Sequence, residues 1–236
     1  MSMGELEPIT PEPLHEKAYA SLRHALRTGR FRPGQAVTIR GLGKELGVSA
    51  TPVREALQRL IACHALKVLP NRTVIVPPLT HERCEEITQV RLRLEGLAGR
   101  QAVGRITDQA VKRLVSRKNR MDRAIKERNL SAYLQNNEEF HSTIYEAAQM
   151  PFLNQMIDLA WLQVAPWFNL LAVEGNFYEN ANASHELVVD RLVARDADGV
   201  EAAIRQDINQ AVRHIIAFLN NGVKVAGMDV AAAMQG

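Results

Sequence analysis

The sequence predicts a mostly α-helical chain, with a small unit of three helices and a β-hairpin followed by an antiparallel bundle of six or seven helices. Three observations predict it. Between Arg40 and Leu60 two short apolar stripes flank a Gly-Val turn, and between Leu66 and Val76 two β-prone runs flank Pro70-Asn71-Arg72. From Thr80 onward the turn-rich punctuation stops and helical periodicity runs on, broken only by short connections. At 236 residues the chain is long enough for two cores. The expected division is an arm over 1–13, a first domain over 14–78, a helical domain over 79–221 and a tail over 222–236.

Residues 1–13 are acidic, carry Pro8, Pro11 and Pro13, and hold few apolar groups, which predicts a poorly ordered arm. A helix then follows from about Leu14 to Thr28, because Leu14, Ala18, Leu22 and Leu26 share one face and Gly29 supplies a left-handed stop. Phe31-Arg-Pro-Gly34 reads as a turn. Leu42 and Leu46 lie one helical turn apart, while Val53, Leu57, Leu60 and Ile61 follow i, i+4, i+7 and i+8, so two short helices can press together across Gly47 and Val48. Ser49, or Thr51 with Pro52, marks the start of the second helix, since a hydroxyl caps an orphan amide and proline lacks one. With that stripe turned inward, Arg54, Gln58 and Arg59 point outward beside a helix N-terminus, the surface a recognition helix offers to a major groove. The hairpin that follows is a wing with Arg72 at its tip. Beyond it, helices are expected over roughly 81–103, 107–128, 130–149, 151–173, 182–195 and 198–219, with breaks at Gly104, Asn129, Pro151, Glu174-Gly-Asn176 and Asp196-Ala-Asp-Gly199.

The formal net charge of +3 hides an asymmetry: 11 Lys+Arg stand against 6 Asp+Glu up to residue 79, and 18 against 20 beyond it, giving +5 in front and −2 behind. Positive charge concentrated on the helix-turn-helix suits a polyanionic partner. Cys63 and Cys84 have neither zinc-knuckle nor redox-pair spacing, and the chain shows no charged-then-apolar leader, so a cytoplasmic protein with reduced thiols is expected. The longest uncharged run, Leu159 to Val173, is shorter than the roughly 18 residues of a membrane span and contains Pro166. It reads as a buried helix pair, and no membrane partner is expected.

Gly29-Arg-Phe-Arg-Pro-Gly34 followed by Leu46-Gly-Val-Ser-Ala-Thr-Pro-Val-Arg-Glu-Ala-Leu57 resembles the winged-helix domain of GntR-type bacterial transcription regulators. Arg91-Leu-Arg-Leu-Glu95, Asn137-Glu-Glu-Phe-His141 and the later His185 resemble the all-helical effector domain, called FCD, of the FadR-like branch. The resemblance covers about residues 12–220. It implies a homodimeric, ligand-responsive transcription regulator, read as a repressor, which binds a near-palindromic double-stranded DNA operator. Its helical domain would bind a small carboxylate effector, commonly through a metal ion. Carried over position by position, Arg40 and Arg54 stand where arginines meet DNA, Thr51 stands at a phosphate- or base-contacting position with Ser49 a DNA-contact candidate beside it at the helix start, and Arg72 lies in the wing. Lys44 is a further phosphate-contact candidate, and Arg59 an outward one. The family's usual arginine between Ser49 and Thr51 is Ala50 here, and its usual wing glycine is Thr73. Losing a bidentate guanine contact removes about 1–3 kcal/mol of discrimination, which alters operator preference.

The second constellation is Asn137, His141, His185 and Asp207. Asn137 and His141 are i, i+4 and project from one helix face, whereas the convergence of the other two is implied only by the resemblance. Asn137 stands where the family usually has aspartate, and Asp207 where a third histidine is usual. Two imidazoles, an amide oxygen and a carboxylate can hold a divalent ion such as Zn, Mn, Ni or Fe with positions left for ligand oxygens. The ordinary reading of such histidines is a hydrogen-bonded core residue, so a metal-free sensor stays open beside the metal site. Arg91 is the candidate clamp for the effector carboxylate, since a guanidinium fork matches it, and its alternative is a surface pair with Glu95. Trp161, Trp167 and Phe168 read as core, pocket wall or dimer contact. A metalloenzyme carrying a DNA-targeting module is the remaining alternative; no neighbouring group in sequence serves as a general base, and no enzyme activity is expected.

Overall fold

The computed structural model describes residues 13–173 and 182–220. The expected arm, save Pro13, the tail, and the Glu174-Gly-Asn176 break lie outside them. The first helix, α1, runs Leu14–Arg27 and buries Ala18, Leu22 and Leu26, as its spacing predicts. Gly29 ends it at φ +67°, with Arg30 N–H donating to the Ala25 carbonyl. A strand, β1 (Ala36–Val37), leads into α2 (Ile39–Leu46), whose N-cap Thr38 accepts from Gly41 N–H at 3.0 Å. Gly47 turns the chain at φ +66° into α3 (Ala50–Ala62). Ser49 holds the N-cap position of α3 but makes no capping hydrogen bond, so Pro52 within the first turn is the helix-start signal that counts.

The wing is β2 (Lys67–Val68) against β3 (Val74–Ile75), and β3 is also the centre of a three-stranded antiparallel sheet in which β1 supplies the other edge. The register pairs Ala36 with Ile75 and Val37 with Val74 on one side, and Lys67 with Ile75 and Val68 with Val74 on the other. The β1 strand has no counterpart in the sequence expectation, because two residues carry no readable period. At the wing tip the left-handed conformation falls on Arg72, at φ +66°, while Asn71 accepts from Thr73 N–H at 3.0 Å. Thr73 is therefore accommodated where the family's glycine is usual.

Six α-helices follow among the described residues: α4 (His81–Ala102), α5 (Asp108–Lys126), α6 (Leu130–Ala147), α7 (Pro151–Val164), α8 (Ala183–Val193) and α9 (Ala197–Asn220). Thr80, Thr107 and Asn129 cap the first three through their side chains. The pattern expected to run as one helix over 151–173 is instead α7 followed by a 3-10 segment, Ala165–Val173, and Pro166, which lacks a donor, stands at the change. The α4 and α9 helices pack closely because α4 presents glycines to α9: a Cβ at Gly96 would lie 3.2 Å from Glu201 and Arg205 side-chain atoms, and one at Gly99 3.1 Å from Val200 and against Ile204. That close approach brings the middle of α9 toward the interior.

Two hydrophobic cores result. One gathers α1, α2, α3 and the wing; the other fills the bundle. The α7 helix serves both, since Trp161 belongs to the bundle core and its neighbour Leu162 to the first. At the junction, Gly29 is pressed so closely on α6 and the 3-10 segment that a Cβ would lie 2.7 Å from Leu134 and 3.0 Å from Asn169. Gly29→Ala combines left-handed strain with this clash and is expected to lower stability by about 1–3 kcal/mol, read as a lower urea midpoint at unchanged slope.

Candidate functional site

The bundle holds a cavity of about 30 Å³ lined by Arg91 of α4, Asn137 and His141 of α6, Trp161 of α7, Phe168 of the 3-10 segment and Asp207 of α9, among others. Helical geometry explains the α6 contribution: Tyr133, Asn137 and His141 follow at four-residue steps along one face. His185 of α8 comes from the opposite side, with its Nε2 3.2 Å from His141 Nε2. Asp207 closes the group, 3.3 Å from His141 Nε2 and 3.5 Å from His185 Nε2. One ligand atom from each of the three lies within 4.8 Å of the others, and both histidines are buried. The fold thus brings together three members of the expected set, and Asn137 lines the same cavity.

A second layer holds these groups in place. Tyr145, one turn after His141, donates its phenol proton to Glu95 at 2.6 Å and lies 3.1 Å from His141 Nδ1. With that proton engaged, the phenol oxygen is an acceptor for His141 Nδ1–H, and Nε2 is the ring atom that faces His185 and Asp207. The same Glu95 carboxylate takes Arg91 Nε at 2.6 Å and Nη2 at 3.3 Å, and both partners are sealed from water. Arg91 pairs with Glu95, as one of its two readings had it, but within the core rather than at the surface. Arg91 Nη1 is buried without a hydrogen-bond partner among the described residues, and so is Trp161 Nε1.

Electrostatics follow from this packing. Burial, the largest single effect, would raise the Asp207 carboxyl; the His185 charge, the His141 hydrogen bond and charge, and Arg91 outweigh it and hold the group at about 2. Burial first, then Glu95, pushes the Tyr145 phenol well above its ordinary range, so it remains a donor. Burial opposes the Arg91 charge, but Glu95 more than offsets it and the guanidinium stays protonated. These residues suit a divalent ion: two imidazoles and a carboxylate converge, and the carboxylate is ionised.

The helix-turn-helix face is organised differently. Arg40, Lys44, Ser49, Thr51, Arg54 and Arg72 are all exposed, as is Ala50. Arg59 is exposed too, yet its guanidinium donates to Glu16 at 2.7 Å and stacks 3.8 Å above the Tyr19 ring, which directs it toward α1. Beyond the ligands and clamp expected from sequence, the site depends on Glu95, expected there only as a surface partner of Arg91, and on Tyr145. Each stands four residues after a recognised member, Arg91 and His141, so the i, i+4 spacing was the signal available for both. Removing one partner of the buried pair leaves a stranded charge. Glu95→Leu is expected to cost about 3–5 kcal/mol in urea denaturation, and the double variant Arg91→Met with Glu95→Leu to recover most of it.

The comparisons with known proteins agree with this arrangement. The family model described as "Bacterial regulatory proteins, gntR family" matches residues 14–76, and the FCD domain model matches residues 86–210. McbR of Escherichia coli, an HTH-type transcriptional regulator, is 29% identical over 193 residues, covering 81% of this chain and 87% of McbR. The solved structure of E. coli McbR/YncC superposes with a TM-score of 0.80 at 28% identity, covering 89% of this chain and 99% of that one. The HTH-type transcriptional repressor RspR of E. coli is 23% identical over 217 residues, covering 86% and 91%. All three are named as regulators of transcription rather than enzymes. A DNA-binding helix-turn-helix fused to an FCD bundle places this chain in the gntR family of bacterial transcriptional regulators.

Proposed function

We propose that this regulator, acting as a cytoplasmic homodimer, represses transcription from a near-palindromic operator and responds to a small carboxylate bound in the bundle cavity. The domain division proposed is 14–78 for DNA and 79–221 for effector and dimer contacts. No helix among the described residues is long and apolar enough to cross a membrane. The observation that carries the effector reading is that Arg91, whose Nη1 is buried without a hydrogen-bond partner among the described residues, lines the same cavity as His141 and Asp207, with His185 in contact with both.

Charge accounts for why an ion belongs in this reading. Arg91 and Glu95 cancel, and with both imidazoles in the neutral form that ligation requires, Asp207 leaves a negative charge in the site, which by itself repels a carboxylate. His141, His185 and Asp207, with Asn137 beside them, would hold a divalent Zn, Mn, Ni or Fe ion. When bound, it supplies a positive charge and open positions for carboxylate oxygens. Arg91 Nη1 then offers a buried charge-assisted hydrogen bond that orients the ligand, while Trp161 and Phe168 exclude water from the cavity. A metal-free sensor is the second reading, favoured by the direct His141–His185 contact, in which the triad satisfies itself. Metal analysis of the purified protein with Zn²⁺ titration separates the two. The metal reading expects one ion per chain and an affinity at least about 10-fold weaker in His141→Ala; no uptake supports the metal-free sensor.

At the operator, Arg54 is the central proposed base contact. Arg40, Lys44, Ser49, Thr51 and Arg72 are proposed backbone or flanking contacts, and Arg59 is a contact that must first leave Glu16. Fluorescence anisotropy on DNA flanking the protein's own gene tests this. Arg54→Ala is expected to weaken binding by about 1–3 kcal/mol and relax sequence preference, and Arg72→Ala to shallow the salt slope by about one unit. Equal, weak binding to that DNA and to a scrambled duplex would sink the operator assignment.

A further inference from the structure

We propose that Arg27, on the last turn of α1, is the positioning residue through which occupancy of the bundle cavity is carried to the recognition helix α3. The inference rests on reading that cavity as the effector site. Arg27 belongs to the helix-turn-helix unit in sequence, yet its guanidinium is 8% exposed and enclosed by the bundle. It donates to Asp158 of α7 at 2.5 Å and to Ser142 of α6 at 3.0 Å, and it pairs with Glu138 of α6 at 3.1 Å.

The partners of Arg27 are sequence neighbours of the cavity wall. On α6, Asn137 and His141 face the cavity while Glu138 and Ser142, one position on in each case, hold Arg27. On α7, Trp161 lines the cavity one turn after Asp158. The Trp161 ring is shared by the two arginines, with the Arg27 guanidinium 5.2 Å from its centroid and that of Arg91 5.1 Å. A ligand that draws on Arg91 Nη1 or His141 therefore acts on the same ring and the same helical turns that fix Arg27.

The other end of the lever is equally constrained. Leu22 and Leu26 of α1 are buried against the core that holds Val53, Leu57 and Leu60 of α3, so α1 and α3 move together. Arg23 adds a second contact to Asp158 at 2.6 Å, and Asn169 of the 3-10 segment donates to the Phe31 carbonyl just past α1. Both anchor the same junction, and Arg27 adds contacts to α6 and to the Trp161 ring of the cavity wall. A fork that spans two helices transmits their relative shift; a point contact to one of them does not.

The test uses the full chain and Zn²⁺ alone as probe, with binding measured by calorimetry and α1 and α3 followed by amide hydrogen exchange. In the native protein, Zn²⁺ saturation is expected to change exchange in residues 22–28 and 50–62 by about fivefold or more. In Arg27→Lys, which keeps the charge and loses the fork, that change is expected to fall below about twofold with Zn²⁺ affinity within about threefold of native. Glu138→Gln removes one of the clamps with little change of shape and is read the same way if Arg27→Lys folds poorly. An undiminished response of α3 in both variants, or none in native protein that binds Zn²⁺, overturns the assignment of Arg27. Absence of Zn²⁺ binding in the native chain overturns the metal reading of the cavity and the proposal with it.

Discussion

The buried pair of Arg91 and Glu95 is the constraint that the rest of the bundle is arranged to meet. Two charges removed from water are costly unless every remaining lone pair and proton is used, and here the second Glu95 oxygen is engaged by Tyr145. Tyr145 in turn meets His141 Nδ1 at 3.1 Å and fixes the orientation of its ring. One carboxylate on α4 thus orients a guanidinium on its own helix and an imidazole on α6. Arg91 Nη1 is left without a hydrogen-bond partner among the described residues, and Arg91 lines the cavity where a ligand would supply one.

Around this centre the two halves of the molecule are joined by polar contacts laid over shared packing. Trp161 and Leu162 are consecutive on α7 and belong to different cores, so the helix cannot shift without disturbing both. The junction is rigid on one side of α1, where leucines meet α3, and ionic on the other, where Arg23 and Arg27 meet Asp158 and Glu138. Packed cores resist continuous deformation and switch between discrete arrangements, whereas ion pairs can be re-formed with altered geometry. A sensor needs that combination at the boundary between its input and its output.

The departures from the family pattern also acquire physical meaning. Thr73 replaces a glycine at no backbone cost because Arg72 takes the left-handed turn. Asp207 in place of a histidine exchanges a neutral donor for an anionic one, which brings negative charge to the triad and ties both imidazoles by short contacts. Ala50 leaves the exposed start of α3 without a guanidinium, and the first exposed arginine on that helix is Arg54, one turn on.

The local elements were legible from the residues because each is specified by neighbours three or four positions apart. The α1 stripe ending at Gly29, the two short helices about Gly47, the capped bundle helices and the pairing of Asn137 with His141 on one face all follow from that spacing. The tertiary structure alone decided what met across long separations. It buried the Arg91–Glu95 pair that spacing allowed at the surface, turned Arg59 onto Glu16 and Tyr19, and added β1 to the wing through two residues with no period. It also brought His185 and Asp207 to His141 and seated Arg27 between α6 and α7. Periodicity states which face of a helix is apolar, not which other helix will cover it; that is settled by the close packing of α4 on α9 and of α1 on α7.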